Sequence, residues 1–159
     1  MSNKIIRFLG MAMLLMTIML ARQASAESLI VPAADYTPLE VIEIQLLGLQ
    51  SGDPDQGIEQ VWVFAHPFNK HATGPLARFR TLFEMPAYAP LLDLRSYSIR
   101  ALNETAIESQ FMVSIVTSDG VSYDYFWALE KVLEGEQAGF WMTTMVSSPR
   151  QLSRASRLF

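Results

Sequence analysis

The stretch TAIESQFMVSIVTSDGVSYDYFWALEKV, residues 105–132, alternates apolar and other side chains on both sides of Asp119-Gly120. A period of two residues is typical of β-strands that have one buried face. A short segment with glycine between two such runs is typical of a hairpin turn. The stretch therefore predicts a long antiparallel β-hairpin, and the rest of the fold is built outward from it.

Two registers are open to this hairpin. A two-residue turn at Asp119-Gly120 would place Ile115 opposite Asp124 and so mix apolar and charged side chains on both faces. A three-residue turn over residues 118–120, with Gly120 in the left-handed conformation, keeps the two faces separate. We predict the second register, in which one face carries Phe111, Val113, Ile115, Tyr123, Tyr125 and Trp127.

Two helix starts precede the hairpin, and each combines a capping residue with a proline. Thr37 and Pro38 begin the first helix, with Glu40 at the position that completes a capping box. Asp53 and Pro54 begin the second helix in the same way. Apolar residues recur at helical spacing after both starts, so the sequence predicts a compact helical hairpin.

The segment between these helices and the hairpin, residues 64–92, holds both histidines of the chain. We predict a loop over residues 66–73, because Pro67 disfavours helix at His66. Thr73-Gly74-Pro75 then predicts a short third helix. Tyr88 lies between two prolines, which favours an extended segment after that helix. Further strands are predicted within residues 96–102 and 139–146.

This order of elements predicts an α+β domain, with three N-terminal helices packed on a curved antiparallel sheet. At 159 residues the chain has room for one domain. We place this domain at residues 36–147, after a leader over residues 27–35. Residues 148–159 are predicted to be a basic, flexible tail, because they contain no acidic residue and carry Arg150, Arg154 and Arg157.

The N-terminus reads as a signal peptide over residues 1–26. Lys4 and Arg7 precede thirteen mainly apolar residues, and Ala24-Ser25-Ala26 forms a small-residue cleavage site. Thirteen residues fall short of the roughly 20 that span a bilayer, so we favour cleavage after Ala26 over a membrane anchor. The sequence thus predicts an exported protein, periplasmic or secreted, that meets the membrane only during export.

Charge and cysteine content narrow the function classes further. Removing the predicted signal leaves 9 of the 12 basic residues against 16 acidic ones, so nucleic acid is an unfavourable partner. The chain contains no cysteine, so its core must hold the fold without disulfides. No phosphate-binding glycine loop, nucleophile elbow or metal-ligand pattern is present, and we predict no cofactor. The spacing of His66 and His71 fits no common zinc site.

A family resemblance covers residues 36–146. The string GLQSGDPDQGIEQVWVFAHPFNKHATGPLARF, followed by YAPLL, resembles the bacterial and plastid family catalogued as domain of unknown function 4864. His66 and the Thr144-Met145 pair depart from its pattern. The order of elements also resembles the nuclear-transport-factor-2-like (cystatin-like) fold, in which helices and a curved sheet form a cone around a pocket. The resemblance implies that fold, and it implies no activity.

The candidate ligand-binding residues lie in residues 64–92. Helix N-termini attract anions, so the residues around the third helix start could bind an anionic group. The alternative is structural: two of them could cap turns, and Arg78 could pair with Asp93. Tyr88 could line a pocket, although aromatic residues near strands more often pack in the core. The candidate set is Asn69, Lys70, Thr73, Arg78 and Tyr88.

Two function classes remain from sequence. One is a non-catalytic binding or interaction module with a pocket between helices and sheet. The other is a small hydrolase or isomerase, for which Asp93 is the weak candidate base. We favour the first class, because few titratable residues fall in the predicted core. Met112, Val116 and Phe126 on the opposite sheet face further predict a homodimer contact.

Overall fold

A computed structural model describes residues 28–152 of the chain. The predicted signal peptide lies outside the described residues, as do residues 153–159 of the predicted tail. The described part folds as helices followed by a curved antiparallel sheet, which confirms the α+β class. Its helices are α1 (Pro38–Leu49), α2 (Pro54–Val63), α3 (Pro67–Thr73), α4 (Leu76–Leu82) and α5 (Ala89–Leu92).

Helix α1 begins as the sequence predicts. Thr37 Oγ1 accepts a hydrogen bond from the Glu40 amide over 3.3 Å, and the Thr37 amide donates to Glu40 Oε2 over 2.7 Å. This reciprocal pair satisfies two amides that have no partner inside the helix. The helix buries one face against the sheet, with Val41, Ile42, Gln45, Leu46 and Leu49 pointing inward.

Helices α1 and α2 form a tight hairpin with their backbones in contact. Asp53 caps α2 by accepting hydrogen bonds from the amides of Asp55 and Gln56. A Cβ added to Gly57 would lie 2.7 Å from the carbonyl oxygen of Gly48. Glycine at position 57 therefore allows an approach that no other residue would fit, and α2 lies flat on α1.

Residues 67–73 form helix α3 where we predicted a loop over residues 66–73. Pro67 occupies the first position of α3, where its missing N–H costs nothing, and His66 Nδ1 accepts a hydrogen bond from the Phe68 amide. Helix α2 ends at Val63 and α3 begins at Pro67, so only residues 64–66 separate the two helices. The described residues form five helices within residues 38–92, where we predicted three.

The remaining two helices also differ in detail from the prediction. Thr73 does not cap α4; its hydroxyl donates to the Asn69 carbonyl one turn back in α3. Helix α4 instead begins after Pro75 without a side-chain cap. Residues 89–92, predicted to be extended, form the short helix α5 after Tyr88. Local turns between prolines therefore replace the extended segment.

The sheet is antiparallel, and its central hairpin has the predicted register. Phe111 pairs with Trp127 and Val113 pairs with Tyr125, and Gly120 has the left-handed φ of +78°. The strands are β1 (Leu94–Glu104), β2 (Glu108–Thr117), β3 (Ser122–Lys131), β4 (Trp141–Val146) and β5 (Arg150–Leu152). The strand order is β1-β2-β3-β4, and β5 pairs with the first part of β3.

Two strand boundaries differ from the sequence prediction. Strand β1 continues through Glu104, two residues past the predicted strand of residues 96–102, so the turn to β2 lies at residues 105–107. Thr105 holds that turn by accepting the Glu108 amide on its hydroxyl. Three residues of the predicted tail form β5, and Arg150 lies 3.4 Å from the carboxylate of Asp124.

The core lies between the α1–α2 hairpin and the inner face of the sheet. Irregular pairing in β1 and in β3 bends the sheet around the helices. Of the aromatic residues of the predicted inner face, Tyr123 is partly buried and Phe111 is buried, while Tyr125 and Trp127 are fully enclosed. The chain has no cysteine, so no disulfide stabilises this fold. Packing of the helices on the inner face of the sheet is thus the main stabilising contact of the described domain.

Candidate functional site

A cavity of about 270 Å³ lies between the helices and the sheet. Its walls come from α1, α2, α3, α4, the segment around α5 and the strands β3 and β4. Most of the lining is aliphatic or aromatic. The lining residues are Gln45, Leu49, Val61, Ala65, Phe68, Asn69, Ala72, Thr73, Phe79, Leu82, Phe83, Tyr88, Leu91, Trp127, Thr143, Thr144, Met145 and Val146.

A chain of three buried hydrogen bonds crosses one wall of the cavity. Trp127 Nε1 donates to Thr143 Oγ1 over 3.2 Å, and Thr143 Oγ1 donates to Gln45 Oε1 over 2.9 Å. Gln45 Nε2 then donates to the Val61 carbonyl over 3.2 Å. Gln45 and Trp127 are fully buried and Thr143 is 2% exposed, so these bonds form in a low-dielectric environment.

The direction of this chain is fixed by its two ends. The indole of Trp127 is a donor only, and the carbonyl of Val61 is an acceptor only. The Thr143 hydroxyl must therefore give its proton to Gln45, and the Gln45 amide must turn its NH₂ group toward Val61. The orientation of the Gln45 amide in the cavity wall therefore follows from which of its neighbours can donate and which can accept a hydrogen bond.

The mouth of the cavity lies between α3 and the end of β4. Three lining residues are exposed there: Phe68, Ala72 and Met145. Phe68 is 71% exposed although it borders the cavity, and α3 buries none of its residues. Helix α3 therefore covers one side of the opening without belonging to the core.

Two hydrogen bonds to one carbonyl hold α3 in this position. The His66 amide donates to the Thr143 oxygen over 2.8 Å, and Asn69 Nδ2 donates to the same oxygen over 3.2 Å. The Thr143 amide in turn donates to the Phe64 carbonyl. The end of α2 and the start of α3 are thus attached to the middle of β4.

The cavity is electrically neutral. None of the lining residues is an Asp, Glu, Lys, Arg or His. Tyr88 is the only lining residue that titrates, and burial raises its pKa, so it stays protonated at neutral pH. Its hydroxyl donates to the Val146 carbonyl over 3.1 Å. The wall offers hydrogen-bonding groups and no charge.

Three of the five predicted binding residues line the cavity, and each also has a structural partner. Asn69 ties α3 to β4, as described above. Thr73 shares its hydroxyl between the carbonyl and the side-chain oxygen of Asn69. Tyr88 bonds to Val146 at the far end of β4. The sequence thus identified one side of the cavity, through residues that also organise it.

The two predicted cationic residues lie outside the cavity. Lys70 Nζ donates to the Val63 carbonyl at the end of α2 over 3.2 Å and lies 5.8 Å from the centre of the Trp62 ring. Burial lowers the pKa of Lys70. Arg78 is exposed on α4. The structure therefore does not bring these two cations together with Asn69, Thr73 and Tyr88 around one ligand.

Asp93, the candidate base, borders a separate shallow hollow near the β2–β3 turn. Its carboxylate accepts hydrogen bonds from the amide and the hydroxyl of Ser118, at 3.1 and 2.7 Å. The suggested pair between Arg78 and Asp93 does not form. Arg80 is the residue of α4 that forms ion pairs, with Asp55 at 2.6 Å and with Glu59 at 3.4 Å.

His66 supports the fold rather than a metal. Burial lowers its pKa, and Glu130 opposes part of that shift. The neutral imidazole is the form that caps α3, because Nδ1 must accept the Phe68 amide proton. Across residues 28–152, no group of three or more His, Cys, Asp and Glu side chains is placed to hold a metal ion.

Sequence reasoning missed Gln45 and Thr143, the polar centre of the site. Gln45 was a recognisable anomaly, since it is a polar residue between Ile42 and Leu46 on the apolar side of α1. A buried polar side chain needs a partner. Thr143 carries no such signal, because threonine is common in strands and its partners lie far away in the sequence.

The opposite face of the sheet carries the three residues proposed for a homodimer contact. Met112 and Phe126 are direct partners across β2 and β3, and Val116 lies further along β2. All three are partly exposed. Asp124 lies among them and bonds to Ser114 over 2.6 Å. The predicted register therefore places this apolar set on one face, as expected.

Two further findings bear on function. None of the helices within residues 28–152 has the length and apolar character needed to cross a membrane. No protein-family model, no curated protein and no solved structure matches the chain.

Proposed function

We propose that this protein is a non-catalytic binding module that holds one small, uncharged, mainly apolar molecule in the cavity between α3, α1 and β4. The observation that carries the proposal is a largely apolar cavity that opens to solvent and contains a buried polar group in its wall. Ligand sites typically combine an apolar lining with a few fixed polar groups.

The volume supports a ligand of modest size. An apolar protein cavity of about 150 Å³ holds a benzene molecule. A cavity of about 270 Å³ therefore suits a molecule with roughly ten to twelve heavy atoms. The aromatic side chains of Phe79, Phe83 and Trp127 give the walls a rigid shape.

Charge argues against the anionic ligand that we considered from sequence. Bringing a carboxylate or phosphate into an apolar cavity without a cation is costly, and neither Lys70 nor Arg78 lines this one. Helix α3 has only seven residues, and His66 already occupies its N-terminus. We therefore propose a neutral ligand.

The hydrolase or isomerase alternative gains no support from the site. Acid–base catalysis needs a titratable group near the substrate, with a pKa suited to the working pH. Tyr88 stays protonated and donates to Val146, while Asp93 lies at another hollow. A binding role requires only an apolar cavity with a few fixed polar groups, and this cavity has both.

The test is calorimetric titration with butylbenzene, an uncharged probe of ten heavy atoms. We expect saturable one-to-one binding with a negative heat-capacity change, the mark of apolar burial. Ala72→Trp, at the mouth, should abolish it, and Arg78→Ala, an exposed control on α4, should not. Absence of saturable binding to the wild type, or equal binding to Ala72→Trp, would overturn the proposal.

We further propose that the protein acts outside the cytoplasm, on the strength of the signal-like pattern around Lys4, Arg7 and Ala24-Ser25-Ala26. Fractionation of the native host, with mass measurement of the N-terminus, tests this. A chain that begins at Glu27 in the exported fraction is the expected result. An uncut chain in the cytoplasm would contradict it.

The likeness to the nuclear-transport-factor-2-like cone and to domain of unknown function 4864 stays a proposal. The helices-then-sheet order and the cavity between helices and sheet support it. A homodimer through Met112, Val116 and Phe126 likewise stays a prediction. Light scattering at tens of micromolar tests it, and a monomer would contradict it.

A further inference from the structure

We propose that residues 153–159 of this chain dock in the shallow hollow near the β2–β3 turn, where their arginines pair with two carboxylates. The hollow has a volume of about 270 Å³ and opens to solvent. It shares no lining residue with the cavity between helices and sheet. Docking in the hollow therefore does not depend on what the cavity binds.

The hollow combines apolar and acidic lining. Two prolines and Ala89, from the segment around α5, contribute apolar surface. Strand β3 adds the partly buried ring of Tyr123. Asp93 and Asp119 supply the carboxylates. A surface of this kind suits a segment that carries both cationic and apolar side chains.

The carboxylates of the hollow keep their negative charge. Asp93 accepts two hydrogen bonds from Ser118, and Asp119 accepts one each from the Thr117 hydroxyl and the Val121 amide. All of these donors are neutral. None of the described lysine and arginine side chains forms an ion pair with Asp93. The hollow is therefore complementary to a cation.

Strand β5 brings the chain to the edge of the hollow. Gln151 is the direct partner of Tyr123, which lines the hollow, and Leu152 lies opposite Ser122. Because β5 is antiparallel to β3, the chain leaves Leu152 in the direction of the β2–β3 turn. An extended chain of seven residues spans at most about 23–25 Å. Residues 153–159 therefore reach the hollow without any change in β5.

The register of β5 places the first arginine of this segment near a carboxylate. Continued by two residues, the pairing puts position 154 opposite Gly120, next to Asp119 in the turn. The same strand already forms one pair of this kind, since Arg150 lies 3.4 Å from Asp124. Arg154 is thus the residue that we assign to Asp119.

The composition of residues 153–159, SRASRLF, matches the rest of the hollow. The segment has two arginines, no acidic residue and two large apolar side chains, Leu158 and Phe159. Guanidinium groups form strong, bidentate hydrogen bonds with carboxylates. Exposed ion pairs alone contribute little to stability, so contact of the apolar side chains with the proline surface is part of the docking.

Cross-linking tests the docking, because the chain has no cysteine of its own. The test pair combines Ala155→Cys with Ala89→Cys, an exposed position of the hollow. The control pair combines Ala155→Cys with Ser96→Cys, an exposed position on the opposite face of the sheet. Ser96 lies three strands from Leu152, or about 14 Å, so an undocked segment would reach it too.

We expect the test pair to form its intrachain disulfide about 10-fold faster than the control pair, because docking raises the effective concentration of the two thiols. Arg154→Gln combined with Arg157→Gln should bring the test rate close to the control rate. Equal rates in the two pairs would overturn the proposal. Disulfides that form only between two chains, or a rate difference that survives the loss of both arginines, would also overturn it.

A second measurement needs no variant, in case the cysteine variants do not fold. Trypsin should cut the wild-type protein after Arg157 about 10-fold more slowly than it cuts a free peptide of residues 151–159, since cleavage follows the undocked population. Added salt screens the ion pairs and should bring the two rates together. The peptide corrects for any effect of salt on trypsin. A ratio of rates that does not change with salt would overturn the proposal.

Discussion

Thr143 Oγ1 donates a hydrogen bond to Gln45 Oε1 over 2.9 Å, although 98 residues separate the two along the chain. The bond joins the first helix to the fourth strand across the cavity wall. The backbone of Thr143 also contacts both ends of the segment that leads from α2 into α3. One residue of β4 therefore connects the helical hairpin, the cavity wall and the helix at the cavity mouth.

Replacement of Thr143 by valine should lower the free energy of unfolding by about 2–4 kcal/mol. Valine keeps the shape of the side chain but leaves the Trp127 N–H and the Gln45 oxygen buried without a partner. Urea denaturation gives the difference, and the slope with denaturant should stay at the wild-type value because the same surface is exposed.

Thr144→Val is the matched control for that experiment. The Thr144 hydroxyl donates to the Ala128 carbonyl in a partly buried position, and its loss leaves no donor stranded. We expect a change of about 0.5–1 kcal/mol. Equal losses of stability in Thr143→Val and Thr144→Val would show that the buried chain of hydrogen bonds contributes no more than a partly buried hydrogen bond.

Replacement of Lys70 by methionine tests whether this residue is structural. The ammonium group lies at the C-terminal end of α2, where it complements the partial negative charge of the helix end. We expect a loss of about 0.5–1 kcal/mol in stability and no change in butylbenzene affinity. Lost affinity at unchanged stability would instead assign Lys70 to the ligand.

Acidification should destabilise the protein through His66. Burial lowers the pKa of this imidazole in the folded state, so the unfolded chain takes up the proton more readily. Stability that is present at neutral pH is therefore lost as pH falls from about 6.5, the ordinary value, toward the lowered folded value. Protonation also removes the Nδ1 acceptor that caps α3.

His66→Asn should flatten this part of the stability profile, because asparagine caps helices and does not titrate. Thermal melts between pH 5 and 8, a window of about three units around the histidine range, provide the measurement. His71→Asn, at an exposed position of α3, is the control and should keep the wild-type slope. If His66→Asn kept the wild-type slope of stability against pH, the loss of stability in acid would not come from His66.

Gly57→Ala should destabilise the helical hairpin. Alanine is normally the better helix former by about 0.5–1 kcal/mol, but the new methyl group would lie 2.7 Å from the Gly48 carbonyl oxygen. Overpacking of this kind costs about 1–3 kcal/mol, so we expect a net loss of about 1–2 kcal/mol by urea denaturation. Unchanged or higher stability would mean that α1 and α2 can move apart to fit the methyl group without a cost in free energy.

The features that were predictable from sequence depend on local rules. The capping box at Thr37 and the side-chain cap at Asp53 fix the starts of α1 and α2 within four residues of chain. The register of the hairpin follows from the separation of its two faces and from Gly120 in the turn. In each case the deciding contact lies close by in the sequence.

The missed features depend on contacts between distant residues. Helix α3 looked like a loop because Pro67, which disfavours helix at His66, also begins a helix, and its position depends on hydrogen bonds to Thr143. Gln45 has its hydrogen-bond partners in α2 and β4, and no local sequence pattern indicates them. Lys70 and Arg78 are near in sequence to the cavity residues, but the helical turn directs them away.

Helix α3 has a kinetic consequence for the cavity that it borders. The helix buries no side chain, and few hydrogen bonds attach it to β4, so it opens at a lower free energy than the strands of the central hairpin. Its amide protons should exchange with solvent before those of β2 and β3 do. Because α3 borders the mouth of the cavity, each opening of this helix would widen the entrance for a ligand.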